Sequence, residues 1–77
     1  MTQPRLMSGL QAVRVFQGKG WRVVRQRGSH IIMVKEGSMS TLSVPAHKEV
    51  ARGTLRGLIR AADLLVEEFN DLADRVL

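Results

Sequence analysis

Arg25-Gln26-Arg27-Gly28-Ser29-His30-Ile31-Ile32-Met33-Val34 predicts two strands joined by a turn. Gly28 breaks the basic run, and glycine is the residue that takes a positive φ without steric cost. Ser29 adds a small hydroxyl able to bond nearby backbone or a phosphate oxygen. His30 then stands at the head of an apolar run. Histidine is the side chain that most readily gives and takes a proton near neutral pH. Arg25, Arg27 and Lys35 are expected to surround it with positive charge. A histidine beside a turn is more often a plain polar surface residue, so this stretch alone makes His30 only a candidate.

Upstream, residues 21–26 read as the first strand. Trp21 and Val23 fall on one face, and Arg22 and Val24 on the other. Trp21, the lone tryptophan, is assigned to the core. Residues 30–35 form the second strand. It is apolar on both faces at its centre, which marks an inner strand. Parity groups His30 with Ile32 and Val34, and Ile31 with Met33. Glu36-Gly37-Ser38 is a turn. Residues 41–44 make a short third strand that ends at Pro45. Residues 46–53 read as a polar connection containing His47.

Helices flank these strands. Met1 to Met7 reads as a loose lead-in. Ser8-Gly9-Leu10-Gln11 has the S-x-x-Q form of a capping box. Leu10, Val13 and Phe16, with Ala12 alongside, give one apolar helix face, and Gly18 and Gly20 stop the helix. Thr54 is the expected cap of a second helix with Leu55, Leu58, Ile59 and Ala62 inward. Arg56 and Arg60 share another of its faces. The predicted class is α+β, a helix, a three-stranded antiparallel sheet and one or two further helices on one face of it.

Seventy-seven residues suit a single small domain with little area for a deep pocket, so a surface site on a large polymer fits best. There is no cysteine, hence no disulfide or thiolate chemistry. No metal site and no cofactor are expected. No apolar run is long enough for a membrane span and no signal-peptide pattern is present, which gives the cytoplasm as the expected compartment. Residues 1–60 hold eleven of the twelve Lys and Arg against Glu36 and Glu49, a net +9. Residues 61–77 hold Arg75 against Asp63, Glu67, Glu68, Asp71 and Asp74, a net −4. A basic body fits a polyanionic partner, because neutralising phosphates releases counterions.

Several blocks together resemble the HicA toxins. Gly20-Trp21 and Arg25-Gln26-Arg27-Gly28-Ser29-His30 resemble their glycine-aromatic and R-Q-x-G-S-H blocks. Val44-Pro45-Ala46-His47 resembles V-P-x-H. Residues 53–60, Gly-Thr-Leu-Arg-Gly-Leu-Ile-Arg, resemble G-T-L-R-x-I-L-R, and Glu67-Glu68-Phe69 resembles the closing E-E-F. The blocks occur in family order. The resemblance implies a fold similar to double-stranded-RNA-binding domains. It implies an mRNA interferase of a toxin–antitoxin pair, neutralised by a HicB antitoxin, with the essential histidine at His30.

On that reading the chemistry is metal-independent RNA cleavage, since RNA carries its own nucleophile in the 2′-hydroxyl. His30 is the candidate general base or acid. Arg25, Arg27 and Lys35, with the amides of Gly28 and Ser29, are candidates for holding phosphate and offsetting charge. His47 is a candidate second member, or a plain loop histidine. The rival reading is a non-catalytic RNA-binding module of the same fold. A helix-turn-helix DNA binder is third, and the three-strand pattern argues against it.

Where the family has glycine, leucine and a Ser/Thr cap after the second helix, this chain has Asp63, Leu64 and Leu65. From Leu55 onward apolar residues recur about every 3.5 positions without a breaker. This favours a single helix over residues 54–73, with a second helix capped by Asp63 as the alternative. Residues 64–77 would then be an acidic helical tail. Its stripe of Leu65, Val66, Phe69 and Leu72 would seek cover in a second copy of the chain or in the antitoxin.

Overall fold

The computed structural model describes residues 2–77, so the Met1 end of the lead-in lies outside the described residues. Helix α1 spans Gly9–Gln17. The Ser8 hydroxyl accepts from the Gln11 amide at 3.1 Å, and the Gln11 side-chain oxygen accepts from the Ser8 amide at 3.0 Å. This is the reciprocal cap expected from S-x-x-Q. The buried face differs from the expected one. Leu10 is 66% exposed, and Gly9, Ala12, Val13, Val15 and Phe16 are buried. Gly9 explains the rotation. A Cβ on Gly9 would collide with the Pro45 carbonyl oxygen, and the Gly9 amide donates to the His47 carbonyl at 2.9 Å. The inward stripe therefore runs through 9, 12, 13 and 16, the spacing of one helix face, and begins with a residue that has no side chain.

Three antiparallel strands follow: β1 (Arg22–Arg27), β2 (His30–Val34) and β3 (Leu42–Pro45), in spatial order β1-β2-β3. The central strand alternates as foreseen. Ile31 and Met33 are buried under the helices, while His30, Ile32 and Val34 lie on the other face. Leu42 and Val44 of β3 join the buried face and Ser43 stays exposed. Trp21 is buried as expected, immediately before β1.

Strand β1 departs from simple alternation. Arg22 pairs with Val34 and Val23 with Met33, but Arg25 pairs with Ile32. Val24 is the extra residue of a β-bulge. Directly paired residues share a face. Arg22 therefore lies on the same face as Arg25 and Arg27, which an unbroken alternation would have separated.

Helix α2 spans Arg52–Ala61 and begins earlier than Thr54, which sits inside its first turn; the flanking Ala51 supplies no side-chain cap. The connection before it is not wholly polar, because Val50 is buried and its amide donates to the Met7 carbonyl at 2.9 Å. Leu55, Leu58, Ile59 and Ala62 face the core as predicted.

The single long helix does not form. Helix α2 ends at Ala61, and helix α3 occupies Val66–Val76. Asp63 takes φ +60°. Its amide donates to the Arg60 carbonyl at 3.0 Å, and the Leu64 amide donates to the Ile59 carbonyl at 3.1 Å. These two bonds are the Schellman closure of a helix, with Asp63 in the left-handed position that glycine usually fills. Asp63 therefore ends α2 and does not cap α3. At the start of α3 the Glu68 carboxylate accepts from the Leu65 amide at 2.8 Å.

Folding back changes the fate of the apolar stripe. Phe69 and Ala73 are fully buried, and the Phe69 ring meets Phe16 of α1 at 5.3 Å between centroids. Leu64, Val66, Leu72 and Val76 pack on the same core, leaving Leu65 exposed. Apart from Leu65, the stripe predicted to seek cover in a second copy or in the antitoxin is covered by the chain's own core, with α1 against it. Arg14 reaches across to donate to the Val76 carbonyl at 3.0 Å. Residues 2–8 form no helix or strand, yet Pro4 is fully buried. The Arg5 amide donates to Asn70 at 2.9 Å, and its guanidinium pairs with Asp74 at 2.7 Å.

Candidate functional site

The turn between β1 and β2 is two residues long, and Arg27 pairs directly with His30 across it. Gly28 has φ +60° and Ser29 does not take a positive φ. A positive φ at the first turn position alone suits the right-handed twist of a hairpin and calls for glycine there. The Gln26 side-chain amide donates to the Gly28 carbonyl at 3.0 Å, and the Ala46 amide donates to the Ser29 carbonyl. The turn is thus held from β1 and from the chain leaving β3.

His30 is exposed at the head of the central strand, on the sheet face that no helix covers. Its Nδ1 lies 3.3 Å from the Ser43 hydroxyl. Ser43 sits on β3 opposite Ile32, one diagonal step from His30 on the same face. Sequence reasoning passed over Ser43, although a lone polar residue between Leu42 and Val44 is the available signal. It also passed over Arg22, whose place on this face comes from the bulge. The face therefore gathers Arg22, Arg25, Arg27, His30 and Ser43. Such a surface holds anions through guanidinium forks and offers one imidazole for proton exchange.

Lys35 is not part of this group. It lies five residues along from His30, about 16 Å of strand. There it borders an open cleft with Trp21, Ser38 and Arg60. His47 follows closely on Pro45, the partner of His30, but its side chain lines a separate cleft with Leu6, Val50 and Arg52. Arg56 and Arg60 border a further cleft at the α2–α3 corner with Asp63 and Leu65. Among the described residues no three His, Asp or Glu side chains gather as metal ligands would. No helix among the described residues is long and apolar enough to cross a membrane.

The family model described as HicA toxin of bacterial toxin-antitoxin matches residues 10–64, from within α1 to the corner after α2. A search of curated proteins finds no match. A solved structure, "Toxin-Antitoxin complex from Streptococcus pneumoniae", superposes with a TM-score of 0.67 at 32% identity, covering 75% of this chain and 98% of that one. With the family pattern matched over most of its length, this chain belongs to the HicA toxin family.

Proposed function

We propose that this chain is the toxin of a type II toxin–antitoxin pair and acts as an endoribonuclease on mRNA. The observation that carries the reading is one exposed imidazole, His30, at the head of the central strand of an open sheet face, its Nδ1 beside the Ser43 hydroxyl and Arg27 directly opposite. When Nδ1 carries the proton and donates to Ser43, Nε2 is left free to accept one. Nε2 then removes the proton of the RNA 2′-hydroxyl. The 2′-oxygen attacks the adjacent phosphorus, the P–O5′ bond breaks, and the product is a 2′,3′-cyclic phosphate. The 5′-oxygen leaves with the proton returned by the imidazolium. Arg25 and Arg27 offset the charge that builds on the phosphoryl oxygens, and the Gly28 and Ser29 amides are the further donors at the turn. Because the nucleophile belongs to the substrate, this route needs no metal-activated water.

The neutralising partner is a HicB-like antitoxin that covers the basic face around His30. Complementary charge on it is expected to speed association, an effect that weakens as salt rises. A complex that still cuts RNA at the free toxin's rate would refute masking.

The test of the reaction is incubation of the purified protein with RNA in EDTA, followed by analysis of fragment ends. Cleavage should continue and leave cyclic or 3′ phosphates, and a 2′-deoxy sugar at the cut site should resist. Fragments ending in 3′-hydroxyl would overturn this route in favour of an activated water. Intact RNA throughout would leave the non-catalytic RNA-binding reading.

A further inference from the structure

We propose that β1 is a phosphate track for single-stranded RNA, in which Arg22, Arg25 and Arg27 each hold one phosphate and the bulge at Val24 brings Arg22 into line. The inference rests on the RNA reading above and names the substrate form that the face accepts. In a regular strand Arg25 and Arg27 share a face and Arg22 falls on the opposite one. The bulge removes that mismatch. The partners of the three arginines are Val34, Ile32 and His30, alternate residues of one strand. The arginines therefore follow one another at about 6.8 Å along a single edge. That interval is comparable to the separation of successive phosphates on an extended strand. None of the three joins an ion pair among the described residues, so each guanidinium fork remains open to a phosphate. The row ends at Arg27, directly opposite His30, which sets the last phosphate beside the imidazole.

The floor beside the row points to unpaired bases. Ile32 and Val34 are half-buried on the open face, next to the arginines across the ladder. Bases splayed from a single strand can lie on this apolar strip. A duplex turns its bases inward and presents two backbones to a surface with one row of cations. The strip carries no stacking platform, because Phe16, Trp21 and Phe69 are all buried. Binding should then be tolerant of sequence and driven by counterion release.

The test titrates the full-length protein with a fluorescein-labelled 2′-O-methyl oligouridine, which 2′-hydroxyl attack cannot cut. Affinity is measured from about 50 to 200 mM salt. Arg22→Gln, Arg25→Gln and Arg27→Gln should each lower the slope of log affinity against log salt by about 0.7. The Arg22→Gln/Arg25→Gln double variant should lose about twice as much. Arg75→Gln removes the same charge from α3 and should leave the slope unchanged. A blunt RNA duplex of equal length should bind more weakly than the single strand. A parental slope in Arg22→Gln, or tighter binding of the duplex, overturns the proposal. So does an Arg22→Gln variant that loses affinity only for a protein antitoxin. Cleavage of unmodified RNA is followed in parallel. Cutting by the parental protein with unchanged slopes in the variants rejects the track and keeps the nuclease, whereas reduced slopes in the variants with no cutting by the parental protein reject the nuclease and keep the track.

Discussion

The two faces of one sheet have opposite uses in this molecule. Ile31, Met33, Leu42 and Val44 point into the helical layer and are almost wholly buried. Arg22, Arg25, Arg27, His30 and Ser43 share the other face and remain exposed. Adjacent residues of the same strand thus carry stability and chemistry separately. Period-two alternation makes that separation possible, because a substitution on one face leaves the other face's side chains in place.

The separation is broken most strongly at His30. His30→Ala should lower RNA cleavage by about 100- to 10,000-fold, the usual worth of a general acid–base group. Thermal unfolding and RNA affinity should stay near parental values. A variant cutting RNA at the parental rate would remove His30 from the mechanism. The adjacent core face gives the opposite pattern. Met33→Ala should cost about 2–5 kcal/mol, a large share of the stability of so small a domain. Denaturant unfolding reads this loss, and activity should fall only with the folded fraction.

Gly9 tests where the faces communicate. It belongs to the helical layer, but it touches the backbone at Pro45 and Ala46, beside the partner of His30. Gly9→Ala should destabilise by about 1–3 kcal/mol, since the new Cβ meets backbone that cannot swing aside. It should also lower cleavage by more than unfolding explains, by displacing the end of β3. Unchanged specific activity in the folded fraction would show the faces to be independent even there. The smallest effect belongs to Asp63, remote from the site. Asp63→Gly removes a left-handed penalty and adds unfolded-chain entropy, for a net gain of less than about 1 kcal/mol. A loss of stability would mean that the Asp63 side chain does more than occupy a turn.

The hairpin was legible in sequence because its signals are local. A glycine at the turn, a basic strand before it and an apolar strand after it specify two strands and a histidine between them. The inner position of β2 followed from apolar residues on both faces. The capping box was equally legible, since S-x-x-Q closes its bonds within one turn. Family motifs added the expectation that His30 matters and pointed to the same turn.

What only the tertiary structure decided involves residues whose signal lies elsewhere in the chain. The rotation of α1 depends on Gly9 fitting against Pro45, a contact between segments distant in sequence. The break after α2 depends on a left-handed Asp63, a position that glycine normally announces and that a search for glycine misses. The periodicity continues across the break because both helices turn their apolar faces to one core, so spacing alone cannot distinguish one helix from two. The membership of the open face depends on the bulge at Val24, which changes the side of Arg22 without changing its sequence. Lys35 is close to His30 in sequence but about 16 Å along an extended strand, while Ser43, thirteen positions away, meets the imidazole through β2–β3 pairing. Local chemistry in the sequence determined the hairpin, the capped first helix and the candidate imidazole, and long-range pairing and packing decided where the later helices break and which side chains stand beside His30.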